Sequence, residues 1–215
     1  MKKRMANIEL LRIVSMMMVV MLHYLGKGGL LPETTGAMTV NGYVAWGMES
    51  LCIVAVNVYM LISGYFLVES GFKGRRILEL LCQVLFYTIL VPLVLILVGV
   101  LPASIFNIYH ILQTVLPVQM EHYWFITAYV IMYLLSPILS VAAKSMSKEQ
   151  LRGTIIALLL FFAVSKSILP FELAIDKQGY DGLWFVCVFL VAAYMRLYGI
   201  PFFTNGGKGR RGILC

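Results

Sequence analysis

Arg12 and His23 stand eleven positions apart inside an apolar run from Ile8 to Leu25. Ionisable side chains are costly in hydrocarbon, so a pair of them in one such run marks a functional site by default. On a helix, eleven steps of 100° overshoot three turns by about 20°, so the two share a face, roughly 16 Å apart along the axis. One helix would then carry a permanent cation near its start and an imidazole about half a bilayer deeper. An imidazole changes charge near neutral pH and suits a general base that takes a proton from a hydroxyl nucleophile. The plainer accounts are a guanidinium snorkelling back to lipid phosphates and an interfacial histidine bonded to a neighbour or to water. Glu9 precedes Arg12 by three residues, which brings a local ion pair within reach.

The other polar residues of the apolar runs carry weaker signals. Glu49, Asn57, Ser63 and Gly64 interrupt the second run. Asn57 and Gly64 nearly align on a helix, and amide and small residues at such positions glue membrane helices together. Lys73, Arg75 and Arg76 follow at its end, a cluster that suits anionic headgroups or the phosphates of a cofactor arriving from the cytoplasm. Trp124 opens a later run beside Tyr123, where aromatic rings favour the headgroup boundary. His110, Glu121 and His122 lie between runs, and two loop histidines at that spacing are weak ground for a metal; none is expected. Cys52, Cys82, Cys187 and Cys215 have neither metal-ligand spacing nor the pattern of a disulfide framework. No phosphate-binding glycine loop, HExxH or nucleophile elbow is present.

The elements that must hold these residues follow from composition. Of 215 residues, 61% are hydrophobic and 13% charged, about half the charged share of a soluble domain. Unbroken apolar runs rule against barrel strands, which alternate, and the backbone in lipid then has to be helical. The fold class is therefore all-α and polytopic, with about six membrane helices: Ile8–Leu25, Tyr43–Val68, Ile77–Leu101, Tyr123–Leu139, Thr154–Leu169 and Leu183–Tyr198. Pro92 should kink the third, and Pro102 to Glu121 is amphipathic enough to lie at the interface or re-enter.

A net charge of +7 would suggest nucleic acid for a soluble protein; here the placement of the basic residues accounts for it, and no nucleic acid partner is expected. With the N-terminus cytoplasmic, only Lys27, Lys166 and Lys177 of the 17 basic residues fall outside, as the positive-inside rule requires. Met1 to Arg4 and the run behind it look like a signal peptide without a cleavage site, retained as the first helix. Residues 1–198 read as one multi-helix membrane domain and 199–215 as a basic, Gly-rich cytoplasmic tail with the look of an interrupted frame. The partner is the lipid bilayer, the location the cell membrane, and nothing in the residues specifies an oligomer.

Taken together, the residues resemble a known family. Glu9-x-x-Arg12, ten residues and His23 are similar to the first-helix pattern of the acyltransferase-3 family of integral membrane O-acyltransferases. Ala55-Val-Asn-Val-Tyr-Met-Leu-Ile-Ser-Gly-Tyr-Phe66 resembles that family's second helix, especially in the branch acting on surface polysaccharides. Tyr123-Trp-Phe-Ile-Thr-Ala-Tyr129, Leu134-Leu-Ser-Pro137 and Leu183-Trp-Phe-Val186 extend the resemblance in order, over roughly Asn7 to Tyr198.

The resemblance implies transfer of an acyl group, often acetyl, from acyl-CoA to a hydroxyl of a cell-surface glycan or its lipid-linked precursor. It implies His23 as general base, with Arg12 its arginine partner and Glu9 beside it, and Lys73-x-x-Arg76 with Arg75 for the phosphates of CoA. The family often has Arg-x-x-Arg there; lysine keeps the attraction but lacks the bidentate fork. Members usually have more helices than are placed here, so the resemblance implies a partial domain. The competing reading is a non-enzymatic membrane component, a transporter fragment or the membrane module of a cell-wall resistance protein.

Overall fold

Helices account for the regular structure of the computed structural model, which describes residues 5–32, 38–102, 104, 107–115, 123–164, 168 and 182–199. Among these residues there is no strand, and the all-α polytopic class holds. The chain divides into two compact units, Met1–Gly64 and Tyr65–Cys215.

The first unit opens with α1, Ala6–Lys27. Its end is dictated by Gly26-Lys-Gly-Gly29. Gly29 takes φ +68°, Leu30 N–H donates to the Leu25 carbonyl at 3.1 Å, and Gly29 N–H to that of Gly26 at 3.4 Å. This is a Schellman closure, which needs a residue tolerant of the left-handed region. Helix α2, Val40–Cys52, is capped by the Thr39 hydroxyl, which accepts from Gly42 N–H. Trp46 Nε1–H donates to the Pro32 carbonyl at 3.2 Å and ties down the connection between α1 and α2, which pack against each other. Helix α3, Ala55–Ser70, follows after a break at Ile53 and Val54. The continuous helix expected over Tyr43–Val68 is thus corrected to two pieces. The two pieces are separated by a two-residue turn at Ile53 and Val54 and together still make one membrane-length stretch.

In the second unit, α4 spans Gly74–Leu97 and runs through Pro92. It ends in another Schellman closure, with Gly99 at φ +76° and Val100 N–H on the Leu95 carbonyl. Helix α5, Ile108–Val115, exposes Ile108, Tyr109, Ile111 and Leu112 while Thr114 is buried, the amphipathic character expected between the third and fourth spans. Helix α6, Trp124–Ser145, continues past the expected end at Leu139. Pro137 has no N–H for the Tyr133 carbonyl, and the buried Ser136 hydroxyl donates to that oxygen instead, at 2.6 Å. Helix α7, Lys148–Leu159, starts with a Ser147/Gln150 capping box and runs into the π-helical turn Leu160–Val164. Helix α8 is Gly182–Tyr198.

The core of this unit lies where α8 packs on α6 and α7. Ala128, Ser136, Ala192 and Ala193 are buried at that contact, with Tyr133, Phe185 and Phe189 filling the space. Small residues permit close helix approach, and there is no hydrophobic drive to substitute for packing in lipid. By contrast α4 buries only Thr88 and leaves most of its apolar length exposed, as a helix facing lipid should.

Among the described residues, four stretches are long and apolar enough to cross a bilayer: α1, the α2–α3 stretch, α4 and α6. The expected fifth and sixth spans correspond to α7 with its π turn and to α8, which is 17 residues long. Glu121, His122, Lys2 to Arg4, Lys166, Lys177 and the tail from residue 200 onward lie outside the described residues.

Candidate functional site

In the first unit, α1 is unbroken from Ala6 to Lys27, so the 20° offset between Arg12 and His23 applies. The less exposed side of α1 runs through Ile8, Arg12, Ser15, Val19, Leu22 and Leu25, and both site residues fall at one edge of that stripe. Arg12 is 39% exposed and Nη1 donates to Glu9 Oε1 at 2.9 Å. Tyr59 on α3 donates its hydroxyl to the Arg12 carbonyl at 3.1 Å, which seats α3 on this turn of α1. One turn later Ser15 is 1% exposed, its hydroxyl donating to the Leu11 carbonyl at 2.8 Å.

His23 is exposed, with Nδ1 2.8 Å from the Val19 carbonyl. A carbonyl only accepts, so Nδ1 carries the proton, and in the neutral ring Nε2 presents its lone pair outward. The helix itself thereby selects the tautomer in which the outer nitrogen is basic. Asn57 and Ser63 are both half-buried on α3. On α2, Glu49 has Oε2 shielded from solvent with no hydrogen-bond partner among the described residues.

In the second unit, Lys73, Arg75 and Arg76 are all exposed at the corner where α4 begins. Gly71 ends α3 at φ +69°, its N–H donating to the Leu67 carbonyl. Arg75 Nε donates to Glu79 Oε1 at 2.7 Å, and Arg76 Nη1 reaches Ser70 Oγ at 3.5 Å. The Arg75–Glu79 pair is an exposed one of the kind worth a fraction of a kcal/mol, so an anion can displace it readily. Trp124, at the start of α6, belongs to an aromatic cluster, with Phe125 at 5.9 Å and Phe185 at 6.4 Å between ring centroids.

Two residues that sequence reasoning passes over fasten this corner. Arg196 counts only towards topology in the sequence, yet its guanidinium donates to Tyr65 Oη at 3.1 Å and to Glu69 Oε2, and lies 4.9 Å from the centre of the Tyr65 ring. Tyr133, 1% exposed, bonds Lys73 from α6. A signal for the first exists, an arginine late in an apolar run with Tyr65 and Glu69 one turn apart on another. No spacing rule connects residues 127 positions apart.

Among the described residues, no three of His, Cys, Asp or Glu gather as a metal group. Compared with known proteins, residues 5–213 match the model of a family described as an acyltransferase domain, the acyltransferase-3 family. No curated protein and no solved structure matches the chain.

Proposed function

Because this chain belongs to the acyltransferase-3 family, we propose that it moves an acyl group, acetyl in the first instance, from acyl-CoA to a hydroxyl of a cell-surface glycan or of its lipid-linked precursor. The match over residues 5–213 carries this reading, and it coincides with the Glu9/Arg12/His23 arrangement on α1. His23 Nε2 takes the proton of the acceptor hydroxyl as its oxygen attacks the thioester carbonyl. The C–S bond breaks, the acyl group stays on the acceptor oxygen as an ester, and the proton passes to the departing thiolate to give free CoA. The Val19 carbonyl, 2.8 Å from Nδ1, supports the tautomer in which Nε2 is the base.

Arg12 supplies positive charge for an anionic group of the reactants, with Glu9 fixing its rotamer. Lys73, Arg75 and Arg76 attract the phosphates of the donor, and their placement at the basic, cytoplasmic ends of the helices suits a donor made in the cytoplasm. Asn57, Ser63 and Trp124 serve helix packing and the lipid boundary rather than the chemistry. The cell membrane is the setting that fits an acceptor of this class.

Membranes carrying this chain or its His23→Ala variant, incubated with acyl-labelled acetyl-CoA, test the reading. Label entering glycan or glycolipid fractions only with wild type supports it and shows which fraction holds the acceptor. Equal labelling by both removes His23 from the mechanism, and no labelling above empty membranes with any acyl-CoA supports a non-enzymatic membrane component.

A further inference from the structure

The corner between α3 and α4 is fastened more firmly than an exposed basic loop requires. Lys73 is the N-cap residue of α4 and has no side-chain cap bond. A single phenol engages both its backbone groups instead: Lys73 N–H donates to Tyr133 Oη at 3.0 Å, and that hydroxyl donates to the Lys73 carbonyl at 3.2 Å. A buried hydroxyl bonded at both ends is a stringent positional restraint, since displacing it leaves several polar groups unpaired at once. The ring is held in turn, 5.2 Å from Phe72 and stacked 6.0 Å from Tyr129. Arg196 holds the last turn of α3 through Tyr65 and Glu69, so the corner is fixed from both sides while its three cations remain exposed.

We propose that Tyr133 is a positioning residue for the phosphates of the donor. By setting where α4 begins, it sets where Lys73, Arg75 and Arg76 leave the backbone, so that an anion meets them without having to order the loop on binding. The inference rests on the reading of those three residues as the donor's phosphate site. It predicts a phenotype that general destabilisation does not: loss of affinity for the phosphate-bearing part of the donor alone.

The test uses the full chain in phosphatidylcholine nanodiscs, with CoA and pantetheine each competing against labelled acetyl-CoA. Tyr133→Phe keeps the ring and removes both bonds; CoA should weaken about five- to tenfold, the scale of one hydrogen bond, with pantetheine unchanged. The triple variant Lys73→Gln/Arg75→Gln/Arg76→Gln should lose more. Tyr198→Phe, which gives up a similar hydroxyl-to-backbone bond at Met146, should bind both ligands normally. Gly71→Ala is the second probe should Tyr133→Phe fail to fold. Its Cβ would meet open space, so it disturbs only the left-handed turn, and it should show the same selective loss.

A triple variant that binds CoA like wild type removes the donor-site reading and this inference with it. A weakened triple beside unchanged Tyr133→Phe and Gly71→Ala variants overturns the positioning role and leaves the donor site standing. Equal weakening of CoA and pantetheine by Tyr133→Phe overturns it too, as a merely structural effect.

Discussion

The Arg12–His23 turn of α1 and the Lys73 corner of the second unit hold polar groups in opposite ways. On α1, Arg12 pairs with Glu9 three residues away and His23 bonds Val19 four residues away. At the corner, the fastening comes from Tyr133, sixty positions along the chain from Lys73, and from Arg196, 127 from Glu69. A helix orients its own side chains at intervals of three and four residues, so reactive groups placed on it are aimed before any tertiary contact forms. A loop corner has no such internal order and must borrow it from packed neighbours. The proposed base on α1 and the proposed phosphate-binding charges at the corner therefore depend on different parts of the fold.

Substitutions separate the two. The largest effect is expected for His23→Ala, with transfer falling about 10²- to 10⁴-fold, the contribution of a positioned general base. Because His23 is exposed, the unfolding midpoint in detergent, followed by tryptophan fluorescence, should stay put. A large drop in that midpoint would make the histidine structural and erase the contrast. Arg196→Met should do the reverse, lowering stability by about 2 kcal/mol through its lost charged hydrogen bonds. Transfer measured at saturating donor should survive in the folded fraction. Should it vanish there, Arg196 takes part in the reaction itself.

Smaller effects sharpen the picture. Ser136→Ala removes the only side-chain donor seen on the Tyr133 carbonyl among the described residues and should cost about 1 kcal/mol. If it also raises the KM for acyl-CoA while Glu9→Gln does not, the α6 turn and the Lys73 corner are one device. Glu9→Gln itself should cost only about 0.3–0.5 kcal/mol, the worth of a pair within one helix, read from the same unfolding curve.

The helical fold was legible because lipid leaves the backbone few choices. Run length placed α1 and α4 within a few residues. Legibility fails where local chemistry replaces a missing bond or breaks a run. Helix α6 runs on to Ser145 past the expected end at Leu139, with the Ser136 hydroxyl bonding the Tyr133 carbonyl that Pro137 leaves without an N–H. The interruption at Ile53 and Val54 splits a stretch that is apolar and long enough to read as one span. In the candidate site, Glu9, Arg12 and His23 could be placed on one helix by counting, and Lys73, Arg75 and Arg76 by their charge. Tyr133 and Arg196 could not, since each looks alone like an ordinary residue of an apolar run.

By itself, then, the sequence determined a multi-pass helical membrane protein of the acyltransferase-3 family, with a cation and an imidazole on one face of its first helix. These follow from hydrophobic length and helical periodicity, both local quantities. Only the tertiary structure decided that Lys73 is held through its backbone by a buried phenol and that Arg196 is paired with Glu69 and Tyr65 rather than left for topology. Those pairings depend on α6 and α8 each meeting the α3–α4 corner, and packing is a property of surfaces that the chain brings together only when it folds.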